Sequence, residues 1–471
     1  MRYLAVVVLV LVLAVGTAAQ MEEGGMLVQP LLSASVHDPS VIRVGDTYYI
    51  FGSHLAAAKS SDLRNWQTIE RRVHDGNRLI PNVYVELAEV FAWAQTDTLW
   101  APDVVQLSDG RFYMYYCACR GDSPLSALGV AVADQIEGPY KHLGIMLYSG
   151  GLRAADGSLY DAAKHPNVVD PHVFFDAVGK LWMVYGSYSG GIFILEMDPE
   201  TGFPLPDQGY GKRLAGGNHS RIEGPYVLYN PHLDYYYLFL SFGGLDARGG
   251  YNIRVARSKT PDGPYFDPEG KNMLDAHGSR DSFFDDQAIE PYGAKLIGNF
   301  LFRSDYEYYG YVSPGHNSAY HDPETGRYFL IMHTRFPLSG EYHEVRTHQL
   351  FFNEDGWPVM SVLPYAYETI GPVSAEEVVG NYLYVNHEKD ISFRRKTAME
   401  ITLSADGTIT GAVTGTWSLV GEYFAHLEVG GTLYKGVFVR QWDPSALQHV
   451  MTFTVLSGEG VAVWGKEIIS N

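Results

Sequence analysis

Cysteine is nearly missing from this chain: Cys117 and Cys119 are its only two in 471 residues. They stand two apart in YYCACR, where strand geometry places both thiols on one face rather than bridging them, so they read as core thiols and no disulfide framework holds the fold. A CxC pair can ligate metal, but no second pair stands nearby to complete a site. Positive charge is scarce too. Lys and Arg number 34 against 54 Asp and Glu, a net charge of -20 that repels nucleic acid and points to a neutral partner. Long apolar runs are confined to one, Leu4 to Val15, shorter than the roughly 20 residues that span a bilayer. With Arg2 before it and the small Thr17 and Ala19 after it, this run reads as a secretory signal over 1–19. The expected product is extracellular, monomeric and free of the membrane.

Helical periodicity is almost absent as well, and what replaces it is a repeat. A β-branched or apolar pair, a short polar turn and an aromatic-rich run recur as VIRVGDTYYIFGS from Val41, VVQLSDGRFYMYYCA from Val104, VFFDAVGKLWMVYGS from Val173, YVLYNPHLDYYYLFLS from Tyr226 and YHDPETGRYFLIMHT from Tyr320. Turn residues such as Gly45-Asp46, Asp109-Gly110, Gly179, Asn230-Pro231 and Thr325-Gly326 divide each copy into a β-hairpin. Five such copies in an all-β chain predict a five-bladed β-propeller over 20–370, with long insertions at one rim. A β-sandwich gives no reason for one Tyr-rich hairpin to recur. Near Gly371-Pro372 the texture changes to shorter alternating strands, as in MEITLSADGTITGAVTGTWSLV, with a tight-turn signal at Asp406-Gly407. Residues 371–471 are expected to form a smaller β-barrel or sandwich-like domain.

Three repeats carry an acid beside proline just before the hairpin: Asp38 in HDPS, Asp170 in VDPH and Glu223 in IEGP. Innermost strands of a propeller line its axis, so acids at matching blade positions meet at one mouth, where crowding and desolvation drive their pKa values apart. That is the condition for one to act as an acid and another as a base. Each motif alone is also an ordinary turn opener. Asp103 in WAPDVV and Glu290 in AIEPYG occupy similar settings and are reserve candidates, Asp103 as a structural or substrate-orienting acid.

His37 to Ser40, Leu99 to Asp103, Asn167 to His172, Arg221 to Pro225 and Ser313 to Ser318 together resemble glycoside hydrolase family 43, and within it the two-domain endo-α-1,5-L-arabinanases. The resemblance spans about 30 to 360 and implies an inverting hydrolase acting on arabinan or arabino-oligosaccharides. It assigns Asp38 as general base, Glu223 as general acid, and Asp170 to tuning Glu223 and orienting the sugar. It also places Asn167 and Ser187 against substrate, with His37 and Trp100 as further substrate-binding candidates, and His316, in SPGHNS, as the protein ligand of a calcium ion. From the residues alone that last assignment is unexpected, because calcium prefers oxygen and no EF-hand-like acidic run accompanies His316.

HEVRTH, with His343 and His348, lacks HExxH spacing and excludes a zinc peptidase. Trp66, Trp182 and Trp357 fall in hairpin or turn patterns and read as packing, whereas Trp93 and Trp100 flank the insertion before the second repeat and are rim candidates. Two alternatives stand beside an endo-arabinanase. One is an exo-acting arabinofuranosidase or β-xylosidase on the same scaffold; the other is a propeller that binds glycans without cutting them.

Overall fold

The structure is a computed structural model and describes residues 31–303 and 308–469. The expected secretory segment lies outside them. Four antiparallel four-stranded sheets and a fifth, enlarged one form the five blades. Blade 1 comprises Ser40–Val44, Thr47–Gly52, Ala56–Ser60 and Gln67–Glu70, and blade 2 Trp100–Gln106, Phe112–Cys119, Ser126–Ala133 and Lys141–Ser149. Blade 3 comprises His172–Phe175, Leu181–Tyr185, Ile192–Met197 and Lys212–Ala215, and blade 4 Ile222–Asn230, Tyr235–Phe242, Asn252–Ser258 and Ala294–Ile297. Blade 5 comprises Tyr308–His321, Tyr328–Arg335, His343–Phe352 and Pro358–Met360, extended by Phe300–Arg303 and Lys396–Thr397. Each repeat found in the sequence is the inner hairpin of one blade.

The aromatic runs are continuous because both faces of every second strand are buried. In Phe112–Cys119, Phe112, Met114 and Tyr116 point into the cluster shared with blade 1, while Tyr113 and Tyr115 point into the cluster shared with blade 3. Period-two alternation thus feeds two apolar interfaces from one strand. The ring closes between blades 5 and 1, where Val345 N–H donates to Ala34 O at 2.9 Å and Val36, Ile50, Phe329 and Ile331 pack together.

Eight antiparallel strands between Gly380 and Glu467 close into a barrel. Tyr382, Tyr384, Phe438 and Phe453 fill its interior. Its outer face is apolar as well: Leu383, Val385, Val437, Val439 and Trp464 join one core with Leu296, Phe300, Trp357 and Val359 of blades 4 and 5. The connection 387–396 leaves the barrel and lies across blade 4. Lys295 Nζ donates to Asp390 O at 2.7 Å there, and Ile391 N–H donates to Glu290 Oε1 at 2.7 Å. Glu290, a reserve candidate for the acid set, therefore serves the contact between domains. Among the described residues no helix is long and apolar enough to cross a membrane.

Candidate active site

At one end of the axis each blade carries, in or just before its inner strand, a residue in the left-handed region: Asp38 (φ 55°), Ala101 (φ 28°), Asp170 (φ 57°), Gly224 (φ 58°) and His316 (φ 43°). Proline follows in blades 1 to 4, at Pro39, Pro102, Pro171 and Pro225, where its missing N–H leaves no ladder bond unmade. Register shifts in blades 2, 4 and 5 accompany the kink. Asp38 and Asp170 occupy the same blade position, as expected. Glu223 does not: it stands one residue earlier, at the level of His37 and Trp100. A Cβ at Gly224 would lie 3.1 Å from the His316 ring, so a side chain there meets both steric pressure and an unfavourable φ. The acid of blade 4 sits one position back.

The three carboxylates line one cavity of about 280 Å³, with His37, Ser53, His54, Trp100, Ser187, Leu245, His316 and His343 also on its wall. All three acids are buried. Burial alone would raise Asp38, but His316 Nδ1 at 3.1 Å and His37 Nδ1 at 2.8 Å hold it well below the usual carboxylate range. The Ser53 hydroxyl donates to the same carboxylate. Among the described residues Asp170 forms no such ion pair. Burial, together with the charges of Glu223 and Asp38, lifts it to about 7 against the pull of His316, and it accepts the Gly224 N–H at 3.2 Å. Glu223 is also raised by burial, opposed by the Ser187 hydroxyl, which donates to it at 2.7 Å. His316, at the centre of the three acids, rises to about 9 despite its own burial. The site therefore holds one firmly ionised carboxylate opposite two that retain protons more readily.

Other predicted positions divide. His37, Trp100, Ser187 and His316 face the cavity, whereas Asn167 is not among its lining residues: its amide oxygen accepts from Ser126 at 2.6 Å and Ser149 at 3.4 Å. Trp93 packs on Tyr148 and donates to Ser126 O at 3.0 Å. Cys117 and Cys119 are free and buried beneath Trp100 and Val169. Asp103 lies one level down the axis, where it accepts from the Ser40 hydroxyl, from Val173 N–H at 2.6 Å and from His172 Nδ1 at 3.2 Å. It ties blades 1, 2 and 3 together. The opposite end of the axis opens into a larger cavity of about 540 Å³, but its acids are consumed, Asp103 in that network and Glu324 by Arg43.

Sequence reasoning missed His54, His333, His343, Ser53 and Leu245. One signal was available: the second strand of the repeat ends in Gly-Ser in blades 1 and 3, and both serines, Ser53 and Ser187, donate to a carboxylate of the site.

The Glycosyl hydrolases family 43 model matches residues 27–358, and a C-terminal lipocalin-like domain matches 362–465. The chain belongs to glycosyl hydrolase family 43. It is 63% identical, over 92% of its own length and 93% of the relative's, to an extracellular endo-α-(1→5)-L-arabinanase 2 of Bacillus subtilis. It is 56% identical, over 92% and 94%, to an extracellular endo-α-(1→5)-L-arabinanase of Thermotoga petrophila. A crystal structure of a family 43 glycoside hydrolase from Bacillus licheniformis superposes with a TM-score of 0.92 at 62% identity, covering 94% of this chain and all of that one. The family's C-terminal module is described as lipocalin-like; in this chain its barrel interior is filled by aromatic side chains.

Proposed function

We propose that this family 43 hydrolase is a secreted, monomeric endo-α-1,5-L-arabinanase that inverts anomeric configuration. The observation that carries the reading is the meeting of Asp38, Asp170 and Glu223 on one cavity, in a chain whose relatives named as endo-arabinanases match it across more than nine tenths of its length. Asp38, held ionised by two imidazoles, takes the proton of an attacking water. Glu223, which burial keeps protonated more readily, gives its proton to the leaving oxygen. Asp170 acts on Glu223 through the Gly224 N–H and through its charge, and its place on the wall lets it hold a sugar hydroxyl.

The residues also fit a calcium ion at His316. Three carboxylates surround this imidazole, and Asn317 and Ser318, next in the chain, carry buried side-chain polar atoms with no hydrogen-bond partner among the described residues. Such a set suits a cation whose shell is completed by oxygen and water. His316 would hold it as the neutral imidazole, giving up the proton that the three acids otherwise keep on it, and the ion would take over the positive charge that balances them.

Asp38→Ala and Glu223→Ala are each expected to lower turnover on linear arabinan by about 10² to 10⁴, the usual weight of general acid or base catalysis, while binding survives. Near wild-type rates in both variants would refute the acid and base, and leave a glycan-binding propeller. Early products should be oligosaccharides, and monosaccharide alone from the start speaks for an exo enzyme. Nuclear magnetic resonance of the first-formed anomer should show inversion. Treatment with a chelator should lower both activity and melting temperature until calcium is restored; no change in either removes the metal.

A further inference from the structure

Next to the segment that holds Glu223 stands a ridge of rings. Ser187, whose hydroxyl holds Glu223, is followed by Tyr188, and the Tyr188 ring meets Phe284 edge-on at 5.5 Å between centroids. Phe284 adjoins Phe283 at 6.5 Å, and Phe283 stacks on His219 at 4.3 Å and 19°. Both phenylalanines face solvent, Phe283 at 70% and Phe284 at 52% exposure. Two adjacent exposed phenylalanines beside a site are not accounted for by core packing.

This ridge is tied to the site by hydrogen bonds. Phe284 N–H donates to His219 O at 3.3 Å, His219 N–H to Ser189 O at 2.8 Å, and Tyr188 N–H to Ile222 O at 2.9 Å. The loop bearing the phenylalanines is thus tied to the two segments that carry Ser187 and Glu223. Arg221 grips Asp286 at the loop's base through Nε at 2.9 Å and through Nη2, with its guanidinium 5.9 Å from the Phe284 ring. Phe284 itself sits at φ 56°, a strained backbone for a bulky residue that the surrounding bonds must enforce. The Tyr188 hydroxyl donates to Gly243 O at 3.1 Å, two residues before Leu245 on the cavity wall, so Tyr188 links the ridge to the wall both at Ser187 and near Leu245.

We infer that Phe283, Phe284 and His219 form a stacking platform for sugar units of the arabinan chain beyond those in the cavity, on the side from which the leaving chain departs. The occupant follows from continuity: a polysaccharide lying in the cavity must leave it somewhere, and its furanose rings present apolar C–H faces that aromatic faces cover. The side follows from Glu223, which protonates the leaving oxygen. The inference rests on the reading of the protein as an endo-arabinanase.

The test compares wild type, Phe283→Ala and Phe283→Trp on linear arabinan and on arabinotriose, with melting temperatures measured in parallel. Phe283→Ala should raise KM for the polymer about five- to tenfold, in line with the loss of one ring contact, with kcat, arabinotriose kinetics and melting temperature unchanged. Phe283→Trp should restore the polymer KM. In a Glu223→Gln background, affinity should climb with oligosaccharide length and reach its plateau at a shorter chain once Phe283 is Ala. An unchanged polymer KM, or equal losses on polymer and arabinotriose, overturns the platform while leaving the endo-arabinanase reading intact. A wild type inactive on linear arabinan overturns both.

Discussion

Asp38 is constrained through its backbone as tightly as through its carboxylate. At φ 55° its N–H points to His333 Nδ1 at 3.2 Å, which makes that nitrogen an acceptor and puts the ring proton on Nε2. His333 is fully buried, and burial pushes its pKa well below the ordinary value, keeping it neutral for that task. It also stacks under His37 at 3.8 Å, the residue that donates to the Asp38 carboxylate. Replacing His333 by Phe keeps a ring but leaves the Asp38 N–H buried without an acceptor, a cost of about 1 to 3 kcal/mol. Calorimetry should show that loss, and kinetics a fall in kcat of at least about tenfold with KM little changed. His333→Asn, which restores an acceptor oxygen, should recover part of the rate; if stability falls but kcat holds, His333 does not position Asp38. Sequence patterns revealed Asp38 and Asp170 because Asp-Pro at the head of a repeat is a local signal. His333 carried none, since a histidine in YFLIMHTR reads as one more core residue of a strand. Glu223 was legible as a member of the set but not in its offset, which depends on the His316 ring packed against Gly224 from another blade.

Among elements, the inner hairpins were legible because their two-sided burial turns them into uninterrupted aromatic runs. The outer strands were not, because they share no recurring turn and aromatic pattern from blade to blade. The connection 387–396 was illegible too, since nothing in HEKDISFRRK announces that it leaves the barrel to clasp the propeller. Its effect reaches the cavity. Ile391 packs against the core between blades 3 and 4 and against Gly243, and Ser392 O accepts from Asn299 Nδ2 at 3.1 Å. Asn299 Oδ1 in turn accepts from Ser313 N–H, and the Ser313 hydroxyl donates to Asp246 O at 2.7 Å, next to the cavity-lining Leu245. Truncating Ile391 to Ala should therefore do two things. A partly buried isoleucine loses about 1 to 3 kcal/mol on truncation, below the range for full burial. Loosening of the loop carrying Leu245 should also raise KM for arabinan a few-fold at constant kcat. Calorimetry and steady-state kinetics separate these effects, and lowered stability with unaltered KM would reduce the connection to a clamp between domains.

At the scale of the whole molecule, the barrel belongs to the propeller's core and not to a tether. The strands around Phe438 and Phe453 are buried on both faces, because one face fills the barrel and the other docks on blades 4 and 5. Two ionisable groups are trapped along this junction. Glu368 accepts from Ala366 N–H at 2.7 Å and from Gln441 of the barrel at 3.2 Å, with Arg327 acting on it weakly from a distance, and burial lifts it to about 7. Lys295 is buried between Asp390 and the like charges of Arg254 and Lys396, and burial drops it to about 7. The two act in opposite pH windows. Glu368, with a folded pKa above its unfolded 4.5, stabilises fully below 4.5, and that contribution disappears as pH rises towards 7. Lys295, with a folded pKa below its unfolded 10.5, contributes fully above 10.5, and that contribution disappears as pH falls towards 7. Together they press a dip into the stability curve near neutrality, worth on the order of a few kcal/mol. Glu368→Gln should flatten the acidic limb of the dip and Lys295→Met the alkaline limb. Denaturant melts from pH 4.5 to 10 on the full chain, with both domains followed by separate probes, read each limb directly. If either substitution leaves its own limb unchanged, that group titrates in the folded protein as it does in the unfolded chain, and the junction has let water in.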